Sequence, residues 1–135
     1  FDVFLCHNGE DKPIVKQIGR QLKAREISPW LDEWELRPGF PWQPLLEAQI
    51  ERIASAAVFV GEHGIGPWQD LEMRAFLNEF VERQCPVIPV LLPNAKEKPK
   101  LPPFMKIMNW VNFNVTDPDP IDQLIFGITG KQPAR

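Results

Sequence analysis

Apolar positions come in short blocks separated by longer amphipathic stretches. The first block, Phe1-Asp2-Val3-Phe4-Leu5-Cys6, is rich in strand formers and closes on the polar His7-Asn8-Gly9. A helix is predicted next, with Asp11 as its cap, Pro13 in the first turn, and Ile14, Val15, Ile18 and Leu22 at helical spacing. Residues 27–31 read as a second strand, and residues 32–41, holding Pro38, Gly39 and Pro41, as a loop. Trp42, Leu45, Leu46, Ile50 and Ile53 repeat as a second amphipathic helix. Ala56-Ala57-Val58-Phe59-Val60 is apolar at every position, as a strand covered on both faces should be. After a break at 61–67, residues 68–83 predict a third helix and residues 86–92 a fourth strand. Pro89 removes a backbone donor there and predicts an irregularity in the sheet. A Lys- and Pro-rich loop (94–103), a weak fifth strand (110–113) and a short helix (121–127) complete the chain.

Strand and helix thus alternate about five times, which implies right-handed crossovers and a parallel sheet with helices on both faces. The fold class is α/β, a doubly wound five-stranded parallel sheet. Ligands in such sheets bind outside the carboxyl ends of the strands, where strand order reverses. If the order is 2-1-3-4-5, that crevice lies between the first and third strands. The segments 6–11 and 61–68 meet there, flanked by 32–41.

The 135 residues make one domain, expected to span 1–135. The chain opens at Phe1, inside a strand, which suggests a piece of a longer protein. Fifteen Lys and Arg against 18 Asp and Glu leave a net charge of −3 and a pI near 5.4, arguing against a nucleic-acid partner. No apolar run approaches the ~20 residues of a membrane span, so no membrane partner is expected. Cys6 and Cys85 border apolar runs, the usual places of buried free thiols, and point to a reducing, cytoplasmic setting. With only His7 and His63 besides, no metal-ligand spacing exists, and no metal is expected.

Several site templates fail. There is no G-x-x-x-x-G-K-S/T, no G-x-G-x-x-G after the first strand and no G-x-S-x-G elbow. The third strand ends in Val60-Gly61-Glu62, without a phosphoacceptor Asp. Trp68-Gln69-Asp70-Leu71-Glu72 stands out instead, because it places an aromatic ring and a carboxylate on one side of the third helix, next to the crevice. An ionised Glu there can face a developing sugar cation while the Trp stacks a ring. Equally, the Glu complements the helix dipole and the Trp packs in the core. Glu79 shares nearly the same helical angle, so position near the strand ends, not periodicity, singles out Glu72.

The 32–42 segment holds Trp34, Leu36 and Phe40, more apolar surface than a solvated loop needs. It either closes over a ligand or a neighbouring molecule, or covers the end of the sheet. His7 and Asn8 either bind a ligand or cap the following helix. The charge run Lys96-Glu97-Lys98-Pro99-Lys100 reads as a solvated loop.

Together these residues resemble a TIR (Toll/interleukin-1 receptor) domain of the bacterial, NAD-cleaving type. Phe1 to Asp11 resembles the family's first box. Trp30-Leu31-Asp32-Glu33-Trp34-Glu35-Leu36-Arg37-Pro38-Gly39 is similar to its second strand and BB loop, and Trp68-x-x-x-Glu72 to the motif carrying its catalytic Glu. Pro86-Val87-Ile88-Pro89-Val90 resembles the fourth strand, whereas 104–110 only approximates the third box. The resemblance implies the flavodoxin-like 2-1-3-4-5 sheet and cleavage of NAD⁺, as substrate and not as cofactor, to nicotinamide and ADP-ribose or a cyclic isomer. It implies Glu72 as the catalytic residue, holding the ribose hydroxyls and stabilising the oxocarbenium-like state. Trp68, Cys6, His7, Asn8, Asp32, Trp34, Arg37 and Trp42 are the implied substrate-binding residues. Self-association with other TIR domains, a bacterial antiviral or stress-response role, and an unknown regulatory domain in the parent chain that restrains the loss of NAD⁺ are implied as well. The rival reading is a scaffold without activity that assembles through the BB loop. A nucleoside-deoxyribosyltransferase-like enzyme fits the architecture but not the BB-loop match.

Overall fold

Five strands carry the computed structural model, which describes residues 1–62, 71–93, 95 and 108–133. They are Val3–Cys6 (β1), Pro29–Trp30 (β2), Ala56–Val60 (β3), Val87–Leu91 (β4) and Val111–Asn112 (β5). All pair in parallel, in the order β2-β1-β3-β4-β5. The helices between them are Lys12–Ala24 (α1), Asp32–Glu35 (α2), Trp42–Ile50 (α3), Leu71–Glu82 (α4) and Pro120–Thr129 (α5), with a 3₁₀ turn at Gly9–Asp11. Among the described residues no helix is long and apolar enough to cross a membrane.

Side chains alternate across a strand, and here the alternation sorts the core into two layers. Phe4, Cys6, Trp30, Ala56 and Val58 pack with Leu46 and Ile50 of α3 and Phe76, Leu77 and Phe80 of α4. Val3, Leu5, Leu31, Ala57, Phe59 and Val90 pack on the other side with Val15, Ile18 and Leu22 of α1 and Leu124 of α5. The central strands are therefore apolar throughout: all five residues of β3 and all five of β4 are buried.

The second strand is shorter than the 27–31 expected from its residues, because its neighbours take both ends. Ile27 N–H donates to Leu22 O (3.0 Å), closing the end of α1. Leu31 O accepts from Trp34 and Glu35 N–H (both 3.0 Å), starting α2 inside what reads as a loop. Asp11 takes the expected N-cap position of α1. Its carboxylate makes no capping hydrogen bond there, whereas Asn8 Oδ1 accepts from Glu10 N–H (3.2 Å) and caps the 3₁₀ turn. Cys6 is buried as expected, but Cys85 is partly exposed.

Pro89 produces no irregularity in the β3–β4 ladder, where Val58 pairs with Pro89 inside a continuous five-residue register. Leu92 N–H donates to Val60 O, and Phe113 N–H donates to Leu91 O. Parallel strands direct alternate residues to alternate neighbours, so the edge of Pro89 faces β5. There β5 begins only opposite Val90, and the missing donor costs no ladder bond. The charge run 96–100 and the 104–110 segment through residue 107 lie outside the described residues.

Candidate functional site

A cavity of about 240 Å³ opens at the carboxyl end of β1, on the α3–α4 side of the sheet. Phe4, Cys6 and Trp30 form its floor from β1 and β2, and Leu36, Trp42 and Leu46 close one side. Met73 of α4 closes another, and His7 and Asp32 supply ionisable groups. The floor is rigid for identifiable reasons. Phe4 meets Trp30 at 5.3 Å between ring centroids and stacks on Phe80 at 6.1 Å. Trp42 meets Phe76 edge-on at 5.9 Å, tying the start of α3 to α4.

His7 leaves β1 with its side chain only 5% exposed. Its Nδ1 lies 2.9 Å from Leu5 O, and a carbonyl only accepts, so Nδ1 carries the proton. In the neutral ring Nε2 then keeps its lone pair, 3.9 Å from Asp32 Oδ1. Burial pushes the His7 pKa below its ordinary 6.5, outweighing the upward pulls of the Leu5 carbonyl and of Asp32.

Asp32 is the first residue of α2 and is held from two directions. Lys12 Nζ donates to Oδ1 (3.0 Å) and Oδ2 (2.9 Å), while Glu33 N–H donates to Oδ1 (2.7 Å). One turn along α1, Lys16 pairs with Glu33 at 2.6 Å, and that hydrogen bond holds the exposed Glu33 carboxyl below its usual range. Both pairs are partly solvated, so water screens them and neither is a main source of stability. Their consequence is positional: α1 fixes the start of the segment that leads over the cavity.

The residues nominated by sequence separate into groups. Cys6, His7, Asp32 and Trp42 come together around the cavity. Asn8 does not line it and serves the 3₁₀ turn. Trp34 packs in the opposite core layer against α1, and Arg37 stacks over Phe40 at 4.5 Å on the exposed 37–41 segment; neither lines the cavity. Glu72 is the second residue of α4, directly before the cavity residue Met73. Its side chain, like all of Trp68, lies outside the described structure. Glu79 is placed elsewhere, lining a separate groove between α3 and α4 with Glu47 and Glu51.

Sequence reasoning missed Lys12, Leu46 and Met73, whereas Leu36 belongs to the apolar segment it singled out. Lys12 was one polar residue among several in α1, and nothing in its spacing announces a partner 20 residues on. Leu46 carried the periodicity of an ordinary core residue, which it also is.

A family profile described as TIR domain matches residues 3–125. No curated protein matches the chain. Among solved structures it is similar to the TIR domain of the Toll-related receptor TRR-2 from Hydra magnipapillata. That likeness has a TM-score of 0.71 at 18% identity and covers 95% of this chain and 98% of that one. It is also similar to the TIR domains of the activated Roq1 resistosome, which directly recognises the pathogen effector XopQ. Here the TM-score is 0.55 at 24% identity, over 66% of this chain and 55% of that one. At such identities the likeness is one of fold.

Proposed function

The chain belongs to the TIR-domain family, and we propose that its strand-end cavity cleaves the nicotinamide–ribose bond of NAD⁺ to give nicotinamide and ADP-ribose or a cyclic isomer. The observation that carries this reading is the placement of Met73 in the cavity wall. It sets the backbone of Glu72, one residue earlier on α4, beside the pocket to which the ends of β1 and β2 also contribute.

In this reading Glu72 holds the ribose hydroxyls and stabilises the positive charge that develops on the sugar as nicotinamide leaves. Trp68 lines the pocket or stacks a ring. The cavity, about 240 Å³, falls below the ~300–1,000 Å³ of sites that enclose a whole drug-sized ligand. It therefore takes one end of the dinucleotide, and the remainder crosses the rim formed by the 32–42 segment, where Asp32 and Arg37 stand. NAD⁺ is substrate, and the chemistry requires neither metal nor cofactor. The same segment contacts a neighbouring TIR domain, and clustering raises activity. The natural setting is a cytoplasmic, bacterial defence or stress response.

A second reading has its own support. Phe40 is 53% exposed at the tip of the 36–41 segment, beneath the Arg37 guanidinium. An exposed aromatic with a stacked cation suits a contact surface, as a scaffold assembling with other TIR domains would need. The Glu72→Ala variant separates the two. The enzyme reading expects loss of nicotinamide release with an unchanged melting temperature. Full activity in that variant would remove Glu72 from the mechanism.

A further inference from the structure

We propose that His7 Nε2 is the proton acceptor for the water that attacks the sugar, with Asp32 as the charge beside the imidazolium once it forms; this rests on the reading of the cavity as an NAD⁺-cleaving site. Three observations converge on Nε2. The Nδ1–H bond to Leu5 O fixes the tautomer, so the lone pair belongs to Nε2. His7 belongs to the cavity lining and is nearly closed to bulk water, and Asp32, the carboxylate beside Nε2, lines the same cavity. At 3.9 Å from Asp32 Oδ1, Nε2 is beyond hydrogen-bond distance and is not consumed by that neighbour.

The charges around His7 come from three elements. Asp32 at the start of α2 and Asp11 in the 3₁₀ turn favour the imidazolium, Lys12 of α1 opposes it, and burial opposes it more. The resting ring is therefore neutral at pH 7 and able to accept a proton, while Asp32 stands close enough to stabilise the cation once formed. Asp32 itself is a poorer acceptor, because Lys12 and Glu33 N–H already occupy its oxygens.

The step balances without a further reactant. The C1′–N bond breaks and its electron pair goes to the nicotinamide nitrogen, neutralising the pyridinium. The water oxygen bonds to C1′, and its proton passes to Nε2 and then to solvent. The products are ADP-ribose, nicotinamide and one proton.

The test is the pH profile of kcat/KM for nicotinamide release, measured with wild type, Glu72→Ala, His7→Gln, His7→Gly and Asp32→Asn, with a thermal melt of each. The wild type should show an acid limb below pH 6.5. His7→Gln should lose the limb and turn over roughly 100-fold more slowly, the loss typical of a missing general base. Added imidazole should restore turnover to His7→Gly. Asp32→Asn keeps the histidine but removes a charge that favours its protonation, so its acid limb should move to lower pH, even if the His7 variants fold poorly. A wild type that releases no nicotinamide overturns the cavity reading and this inference with it. Wild-type turnover that Glu72→Ala abolishes, with an acid limb intact in His7→Gln or unmoved in Asp32→Asn, overturns this inference alone.

Discussion

Gly19 is the seat of Trp34. A Cβ at position 19 would stand 3.0 Å from Trp34 Cη2, 3.1 Å from Cζ3 and 3.3 Å from Leu5 Cδ1. One turn further along α1, Lys23 Nζ sits 3.9 Å from the centre of the same ring. With the Lys12–Asp32 and Lys16–Glu33 pairs, three consecutive residues of α2 are thus fastened to one helix. The chain then passes from this anchor to the opposite core layer, where Leu36 and Trp42 meet the cavity.

Enlarging residue 19 should release that anchor. Gly19→Ala sets a helix-propensity gain of ~1 kcal/mol against a displacement of a few tenths of an ångström in a half-buried ring, and should be close to neutral. Gly19→Leu must evict Trp34 and should cost ~1–3 kcal/mol. Hydrogen exchange of the Trp34, Glu35 and Leu36 amides, which bond to Leu31 O and Asp32 O, should accelerate in the Leu variant. Unchanged exchange at those three amides would contradict the anchor.

Helices α1 and α4 end alike, on a non-glycine residue at positive φ: Glu26 at 63° and Gln84 at 58°. Each end is closed by a bond across five residues, Ile27 N–H to Leu22 O at 3.0 Å and Cys85 N–H to Phe80 O at 2.8 Å. That conformation costs an L-residue ~1–2 kcal/mol, part of which glycine gives back as unfolded-chain entropy. Glu26→Gly should therefore raise stability by ~0.5–1 kcal/mol, read as a higher denaturant midpoint at constant slope. A lower midpoint would mean that the Glu26 side chain contributes what the backbone does not.

Stability should also fall on mild acidification, with His7 as one cause. Its folded pKa lies below 6.5 because burial disfavours the charged ring, so between the two values the unfolded chain binds more protons than the folded one. The stabilisation is complete above pH ~6.5 and is lost as pH falls toward the depressed folded pKa. His7→Gln should flatten this part of the stability–pH curve. An identical slope in both proteins would remove His7 as its source.

The layer pattern was legible in the residues: the uniform apolar run of β3 announces a central strand, and the strand–helix alternation implies parallel pairing, while the order of the strands came from the family resemblance. Local signals erred where tertiary partners compete for one backbone group. Residues 27 and 31 look like strand but serve helix ends, and Pro89 looks disruptive until the sheet shows β5 starting beyond it. The site was legible in part. His7, Asp32 and Trp42 lie where the strand-end rule sends them, while Trp34 belongs to the other core layer, because a glycine 15 positions earlier leaves room for it. No sequence spacing encodes that, nor the reach of Lys12 to Asp32.

The most direct measurement is NAD⁺ consumption by the purified protein at high concentration and when clustered on a support, beside Glu72→Ala, with products separated chromatographically. The account expects nicotinamide to appear in step with NAD⁺ loss, together with ADP-ribose or a cyclic isomer, from the wild type alone. NAD⁺ left intact under both conditions would contradict it and leave the exposed Phe40 and Arg37 surface as the working part of the domain.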